Sequence, residues 1–302
     1  MKRVSIACLI GAALVSGHLR LTAAETANLR HVMSMYFDQK EAGFKQPEGV
    51  ACDARGRVVV ADTGNGRLVL FTLLEGKLGG GNEIRLPQIT APSLVHVTSK
   101  GDLCVLDGKQ RRIVRLGPDG EFKAVLAFDG APPPATIVLK SFAIDAFDNV
   151  YALDVFSGRV LMLDARGRFQ RALSLPADAG FIADVTVDTT GTVFLLDSIK
   201  RRLYWAAKDA AEFSRLGGDL TQQLGTMPSS LTTSKGMLFI AEGSGSSIIA
   251  FGRDGSFLSR QLKPGWEEGT LNHPSQVCIN DRDEVFIADR DNSRVQVFRL
   301  VR

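Results

Sequence analysis

The chain has 302 residues, of which 45% are hydrophobic and 23% are charged, as in an ordinary globular protein of one or two domains. It contains 36 Lys and Arg residues and 33 Asp and Glu residues, and its first 24 residues hold three of the basic residues and no acid. The remainder is therefore close to neutral, which excludes a nucleic-acid or membrane-surface protein that depends on overall positive charge.

The N-terminus has the pattern of a secretory signal peptide. Lys2 and Arg3 precede an apolar run over residues 4–17, and small residues follow at 22–24. The run is shorter than the roughly 20 residues that a membrane-spanning helix needs. We predict a signal peptide over residues 1–24, cleaved after Ala24 or alternatively after Gly17, and export to the periplasm or the extracellular space.

Three cysteines remain after such cleavage: Cys52, Cys104 and Cys278. Each lies in an apolar segment, and free cysteine is among the most buried residue types. A chain with a core of this size needs no disulfide framework, so we expect buried thiols. Cys52 and Cys278 are the only pair whose segments could become neighbours.

A repeat runs through the rest of the chain. At intervals of 43 to 47 residues a short apolar run ends in an acid, at Asp62, Asp107, Asp154, Asp197, Glu242 and Asp289. Five residues later come Arg67, Arg112, Arg159, Arg202, Ser247 and Arg294. Six residues before the acid, a position that tolerates positive φ is filled by Gly56, Gly101, Asp148, Gly191, Gly236 and Asp283.

Each repeat predicts four antiparallel strands, because three apolar runs and one more polar run alternate with turn residues. Four strands in such a period are typical of a β-propeller blade, so we predict an all-β fold with six four-stranded blades. The single domain would span residues 25–302, with repeats at about 44–78, 89–126, 137–173, 180–216, 225–262 and 271–302. The last repeat ends after its third strand, and residues 29–37 are predicted to supply the missing fourth strand. The glycines at 79–81 and the prolines at 132–134 are predicted to link blades.

The repeat resembles the NHL repeat, most clearly in its first and last copies. The first copy carries residues 47–50 (PEGV), Asp53, residues 58–62 (VVVAD) and residues 65–67 (NGR), and runs to Phe71. The last copy shows the same pattern from Pro274 to Phe298, whereas the fifth departs from it at Glu242 and Ser247. The resemblance implies a bacterial, exported six-bladed propeller in which the repeated Asp and Arg residues are structural.

Ligands of propellers usually meet the face formed by the turns between second and third strands. Two of these turns are basic, and one between them carries an aromatic residue, which suits an acidic partner. The candidate binding residues are Lys109, Arg111, Phe156, Lys200, Arg201 and Arg290. We predict a non-catalytic scaffold without cofactor that binds another envelope or secreted protein, or a polyanionic envelope component. Export argues against nucleic acid as the partner.

The alternative is a metal-dependent lyase or hydrolase with its site at the channel mouth. The resemblance extends to amidating-lyase-like propellers, which hold zinc through His residues, and His96 and His273 are the candidates here. Asp53, Asp145, Asp188 and Asn280 suggest the calcium sites of lactonase-like propellers. They recur with the repeat, however, and precede the Gly or Asp turn position, so we interpret them as turn caps. The sequence contains no convergent set of catalytic residues.

Overall fold

A computed structural model of the protein describes residues 27–225 and 227–301. These ranges contain 24 β-strands in six sheets, each with four antiparallel strands. Successive inner strands contact one another around a central axis, and the first and last inner strands also meet, so the sheets form the closed ring of a six-bladed β-propeller. No helix within the described ranges is both long and apolar enough to cross a membrane. The predicted signal peptide, residues 1–24, lies outside the described residues.

The strands follow one another from the inner to the outer edge of each blade. The first strand, β1 (Asn28–Met35), is the exception, because it joins the last blade. Blade 1 comprises β2 (Gly49–Cys52), β3 (Arg57–Asp62), β4 (Arg67–Leu74) and β5 (Lys77–Ile84). Blade 2 comprises β6 (Pro92–Val97), β7 (Leu103–Asp107), β8 (Arg112–Leu116) and β9 (Phe122–Val125). Blade 3 comprises β10 (Leu139–Ile144), β11 (Val150–Asp154), β12 (Arg159–Leu163) and β13 (Phe169–Ser174).

The remaining blades repeat the arrangement. Blade 4 comprises β14 (Ile182–Val187), β15 (Val193–Asp197), β16 (Arg202–Ala206) and β17 (Ser214–Leu216). Blade 5 comprises β18 (Pro228–Ser234), β19 (Met237–Glu242), β20 (Ser247–Gly252) and β21 (Phe257–Gln261). Blade 6 comprises β22 (Pro274–Ile279), β23 (Glu284–Asp289), β24 (Arg294–Val301) and β1. We call the face with the turns between second and third strands the upper face, and the opposite face the lower face.

The core lies between neighbouring blades. Six hydrophobic clusters are formed, one at each blade–blade interface, including the interface between blade 6 and blade 1. The second strands contribute to both of their flanking clusters, and β7, β11, β15, β19 and β23 are buried along their whole length. Continuous apolar runs in the second strands therefore reflect burial on both faces of the blade.

The ring is closed by strand pairing, as the sequence predicted. β1 pairs antiparallel with β24, with Asn28 opposite Val301 and Met35 opposite Val295. Met35 is buried in the cluster that blade 6 shares with blade 1. The N-terminal strand thus completes the sheet that the C-terminal strands leave one short.

A disulfide also closes the ring, and this corrects the expectation of three buried thiols. Cys52 in β2 and Cys278 in β22 are bonded across 226 residues of sequence, whereas Cys104 is a buried free thiol. The expectation failed because burial in an apolar segment does not distinguish a thiol from half of a disulfide. The inner strands of the first and last blades are brought side by side only when the ring closes.

The glycines at 79–81 do not link blades, contrary to the prediction. They lie within β5, the outer strand of blade 1, where the register with β4 shifts between Leu70 and Phe71. Gly81 has a φ of 96°, and a Cβ there would lie 2.6 Å from the backbone nitrogen of Gln39. Glycine is needed here for a β-bulge and a close backbone approach, not for flexibility.

Candidate functional site

The repeated acids hold the upper face together. Each is fully or almost fully buried, and in five blades its carboxylate accepts a hydrogen bond from a backbone N–H of the loop that leads into the blade. In blade 1, for example, Asp62 Oδ1 accepts from Lys45 N at 2.7 Å. Burial acts to raise the pKa of Asp107, but the N–H groups of Gln110, Thr90 and Ala91 outweigh it and lower that pKa.

The acid pairs with the Arg of its own repeat in three blades. Buried ion pairs form as Asp62–Arg67 at 2.7 Å, Asp154–Arg159 at 3.1 Å and Asp289–Arg294 at 2.7 Å. In the other blades the partner changes: Arg112 donates to the carbonyl of Gln88, and Arg202 pairs with Asp178. In blade 5 Glu242 accepts from Ser247 and is paired with Arg260 of the outer strand. These side chains therefore bond to groups of the blades and of the loops that lead into them.

The turn caps lie at the lower face. Asp53 Oδ1 accepts from Arg55 N and Arg57 N, and Asp145, Asp188 and Asn280 accept in the same way from the residues two and four positions later. The side chains therefore satisfy the turn backbone. This arrangement does not form a calcium site at the mouth of the channel.

A pocket of about 470 Å³ occupies the upper mouth of the central channel. Blades 2 to 6 each contribute the second residue of the inner strand, and blade 1 contributes the residue directly before its inner strand. These residues are Ser93, Lys140, Ala183, Ser229, Ser275 and Glu48. Five of the six inner strands shift register within their first residues. Such irregularities re-aim side chains, so the following residues Leu94, Asp184, Ser230 and Gln276 also line the pocket.

Two buried side chains form the floor of this pocket and join the six inner strands in two groups of three. Gln276 of blade 6 accepts from Val50 N of blade 1 at 3.0 Å and donates to the carbonyl of Val95 in blade 2. Asp184 of blade 4 accepts from Leu231 N of blade 5 at 2.6 Å and from the Ser141 hydroxyl of blade 3. Each residue therefore connects three blades.

The buried position of Asp184 changes its acidity. Desolvation raises the pKa of its carboxyl above the ordinary 3.8, although hydrogen bonds from Ser141 and Leu231 oppose that shift. Both carboxylate oxygens are already occupied by donors from the protein. Asp184 is thus a structural carboxylate beneath the pocket.

The structure brings only part of the predicted binding residues to the pocket. Arg111 and Arg290 line it. Lys109 and Lys200 are exposed in the turns of blades 2 and 4, Phe156 is 61% exposed in the turn of blade 3, and Arg201 donates to the carbonyl of Thr221. All six residues lie in turns of the upper face, four of them on its rim.

Sequence reasoning missed Lys140, Asp184 and Gln276. Each lies near the start of an inner strand, at a position where the six repeats do not all carry the same residue type. Lys140 could have been recognised in the sequence, because it and Glu48 are charged at a position where the other blades carry Ser or Ala. A second missed pattern is backbone conformation: the residue before each repeated Arg or Ser has positive φ in all six blades, Gly66, Arg111, Gly158, Arg201, Ser246 and Ser293.

The two histidines considered for a metal do not form a common site. His273 precedes β22 at the mouth, is half exposed and lies 3.0 Å from Asp291. His96 is four residues below the mouth end of β6, about 13 Å along the strand, with its ring 4.8 Å from that of Phe142. Desolvation lowers the pKa of His96 to about 4. Within the described ranges no group of three or more His, Cys, Asp or Glu side chains is placed to hold a metal.

Comparison with known proteins agrees with the repeat pattern. The NHL repeat model matches residues 44–71 and 271–298, which belong to blades 1 and 6. No curated protein sequence is significantly similar to the chain.

Solved structures share the fold at low sequence identity. A streptogramin B lyase superposes with a TM-score of 0.65 and 13% identity, over 92% of this chain and 99% of the lyase. A luciferin-regenerating enzyme gives 0.64 and 14%, over 91% and 95%. A chain of a nidogen/laminin complex gives 0.59 and 16%, over 78% of this chain and 92% of that one. These neighbours include both enzymes and a member of a protein complex, so the fold alone does not distinguish these roles.

Proposed function

Because this chain is a six-bladed β-propeller that carries NHL repeats, we propose that it is a non-catalytic scaffold that binds an acidic partner through its upper face. The partner is an envelope or secreted protein, or a polyanionic envelope component. One observation carries the proposal: the cations of the upper turns and of the channel mouth are mostly unpaired. Within the described residues Lys109, Arg111, Lys140 and Lys200 form no ion pair, whereas the buried cations of the repeat do.

Export supports a partner in the envelope. The disulfide between Cys52 and Cys278 fits an oxidising compartment, where such bonds form and persist. It agrees with the signal peptide that residues 1–24 predict. A nucleic-acid partner does not fit this location.

Capture of the partner tests the proposal. The tagged protein is incubated with solubilised intact envelope, and bound components are identified by mass spectrometry. Reversal of three upper-face charges, Lys109→Glu, Arg111→Glu and Arg201→Glu, is expected to abolish capture, and rising salt is expected to weaken it because exposed charges are screened. Capture that survives both changes would place the binding site elsewhere.

A further inference from the structure

The pocket at the channel mouth carries an unbalanced positive wall. Arg111, Lys140 and Arg290 line it, together with two acids, Glu48 and Asp184. Glu48 is 3.5 Å from Arg290 Nε, so that pair neutralises the side formed by blades 6 and 1. Asp184 lies in the floor with its oxygens already taken by protein donors. The side formed by blades 2 and 3 keeps two cations without an ion-pair partner among the described residues.

Arg111 and Lys140 line the same side of the pocket. One Arg111 nitrogen donates to the carbonyl of Leu139 at 3.3 Å, which places the guanidinium beside the residue that precedes Lys140. A guanidinium has five N–H donors, and no other acceptor of this one occurs in the described part of the chain. Lys140 acts electrostatically on Asp184 but donates to no side chain or carbonyl in the described part. Several charged donors therefore face the cavity without an acceptor.

Three of the four serines that line the pocket complement these cations without competing for them. The hydroxyl of Ser93 donates to the carbonyl of Leu106, that of Ser229 to the carbonyl of Pro274, and that of Ser275 to the carbonyl of Glu48. Their protons are committed to the backbone, so they present lone pairs to the cavity. An anion would be bound by the Arg111–Lys140 wall, and the serine side would favour hydrogen-bond donors on the rest of the ligand.

The geometry points to a binding site for a carboxylate group at the channel mouth, between Arg111 and Lys140. This inference rests on the proposed function in that an acidic side chain of the partner is one source of the carboxylate; a free small organic acid is the other. A planar guanidinium beside a lysine ammonium matches the two oxygens of a carboxylate, and charge-assisted hydrogen bonds of this kind are the strong ones. The cavity is large enough to enclose one acidic side chain or a small dicarboxylic acid.

Calorimetric titration at low salt tests the site without any partner. The probes are glutarate and its neutral diamide, glutaramide, together with a capped Gly-Gly-Glu-Gly-Gly peptide and its Gln counterpart. Wild-type protein is expected to bind glutarate, the Glu peptide or both, and to bind neither neutral counterpart. Lys140→Met removes the charge at similar length and is expected to weaken binding about tenfold or more, the usual effect of losing a hydrogen bond to a charged group.

Two further variants make the result specific. Lys100→Met removes the same charge from an exposed turn of the lower face, outside the pocket, and is expected to leave the affinity unchanged. Arg111→Asn is expected to weaken binding as Lys140→Met does, because Asn tolerates the positive φ of 55° at this position. If Lys140→Met unfolds the protein, the affinity of the Arg111→Asn variant decides whether the carboxylate binds at this site.

Three results would overturn the inference. They are equal binding of the acids and their neutral counterparts, unchanged affinity in the Arg111→Asn variant, and no binding of either acid at millimolar concentration. In each of these cases the proposed function would still stand if capture of the envelope partner still required the charges on the rim of the upper face. Conversely, glutarate binding without any envelope capture would support the pocket and contradict the proposed scaffold.

Discussion

At the scale of single residues, two side chains each bridge several blades. Asp184 and Gln276 each connect the inner strands of three neighbouring blades, and together they reach all six. Both are at least 95% buried, so an N–H that loses its acceptor there finds no water to replace it. The floor of the pocket therefore also holds the inner strands of the six blades in two groups of three.

The first prediction concerns Asp184 and pH. Its folded pKa is raised above 3.8, so the folded state binds the proton more tightly than the unfolded state, and its contribution to stability is lost as pH rises through the folded pKa. The side chain introduced by Asp184→Asn does not ionise, so this variant does not lose stability at that position as pH rises. It also leaves one backbone N–H without an acceptor, which costs about 1–3 kcal/mol.

Urea unfolding of both proteins between pH 3.5 and 7 measures this difference. The free-energy gap between wild type and Asp184→Asn is expected to be largest at low pH and to narrow as pH rises. The other acids titrate in both proteins and cancel in the comparison. A gap that stays constant or widens would show that Asp184 is not destabilised by its burial.

At the scale of elements, the hairpin between the second and third strand of each blade is the repeated unit. Its acid fixes the loop that leads into the blade, and its positive-φ residue closes the turn. Blade 5 keeps the geometry with other residues, since Glu242 and Ser247 recruit Arg260 from the outer strand. The buried carboxylate of blade 5 therefore still meets a cation.

The N-terminal strand is the one element taken from outside its own repeat, and its deletion gives the second prediction. A protein that begins at Tyr36 lacks β1, leaves β24 as an open edge and loses the burial of Met35. We expect its free energy of unfolding to fall by at least about 2 kcal/mol, the value of one large buried apolar side chain. A protein that begins at Ala27 keeps β1 and is the control.

Thermal unfolding followed by circular dichroism compares the two truncations. A single transition at lower temperature for the shorter protein is the expected result. Equal midpoints would mean that the pairing of β1 with β24 does not stabilise the ring.

At the scale of the whole molecule, the ring has two closures in the same place. The β1–β24 pairing joins the termini at the outer edge of blade 6, and the Cys52–Cys278 disulfide joins blades 6 and 1 at the inner edge. The disulfide links residues 226 positions apart, so it restricts most of the unfolded chain.

The third prediction follows from that restriction. The double substitution Cys52→Ser and Cys278→Ser is expected to lower the free energy of unfolding by about 2–4 kcal/mol. A reducing agent should lower the melting temperature of the wild type and of Cys104→Ala, because Cys104 is not bonded. The double variant should not respond to the reducing agent; a response as large as that of the wild type would contradict the assigned disulfide.

The repeat made most of the fold predictable from sequence. Residues that recur in register, such as Asp62 and Arg67, reveal contacts within one blade, and six copies of the pattern indicated the ring and its closure. Contacts between blades depend on positions that do not recur. Gln276 reaching Val95, or Cys52 meeting Cys278, has no counterpart in the other repeats, so the pocket floor and the disulfide were not predicted. Arg111 and Arg290 were identified as candidates, but Lys140 was not, because its position is filled by different residue types in the six blades.

The most direct test of the scaffold proposal compares capture by two triple variants of equal charge. Lys109→Glu, Arg111→Glu and Arg201→Glu change the upper face, whereas Lys100→Glu, Arg166→Glu and Lys208→Glu change exposed residues in lower-face turns. We predict that the envelope partner is lost from the upper-face variant and is retained by the lower-face variant at the wild-type level. Equal capture by both variants, or loss confined to the lower-face variant, would contradict the account.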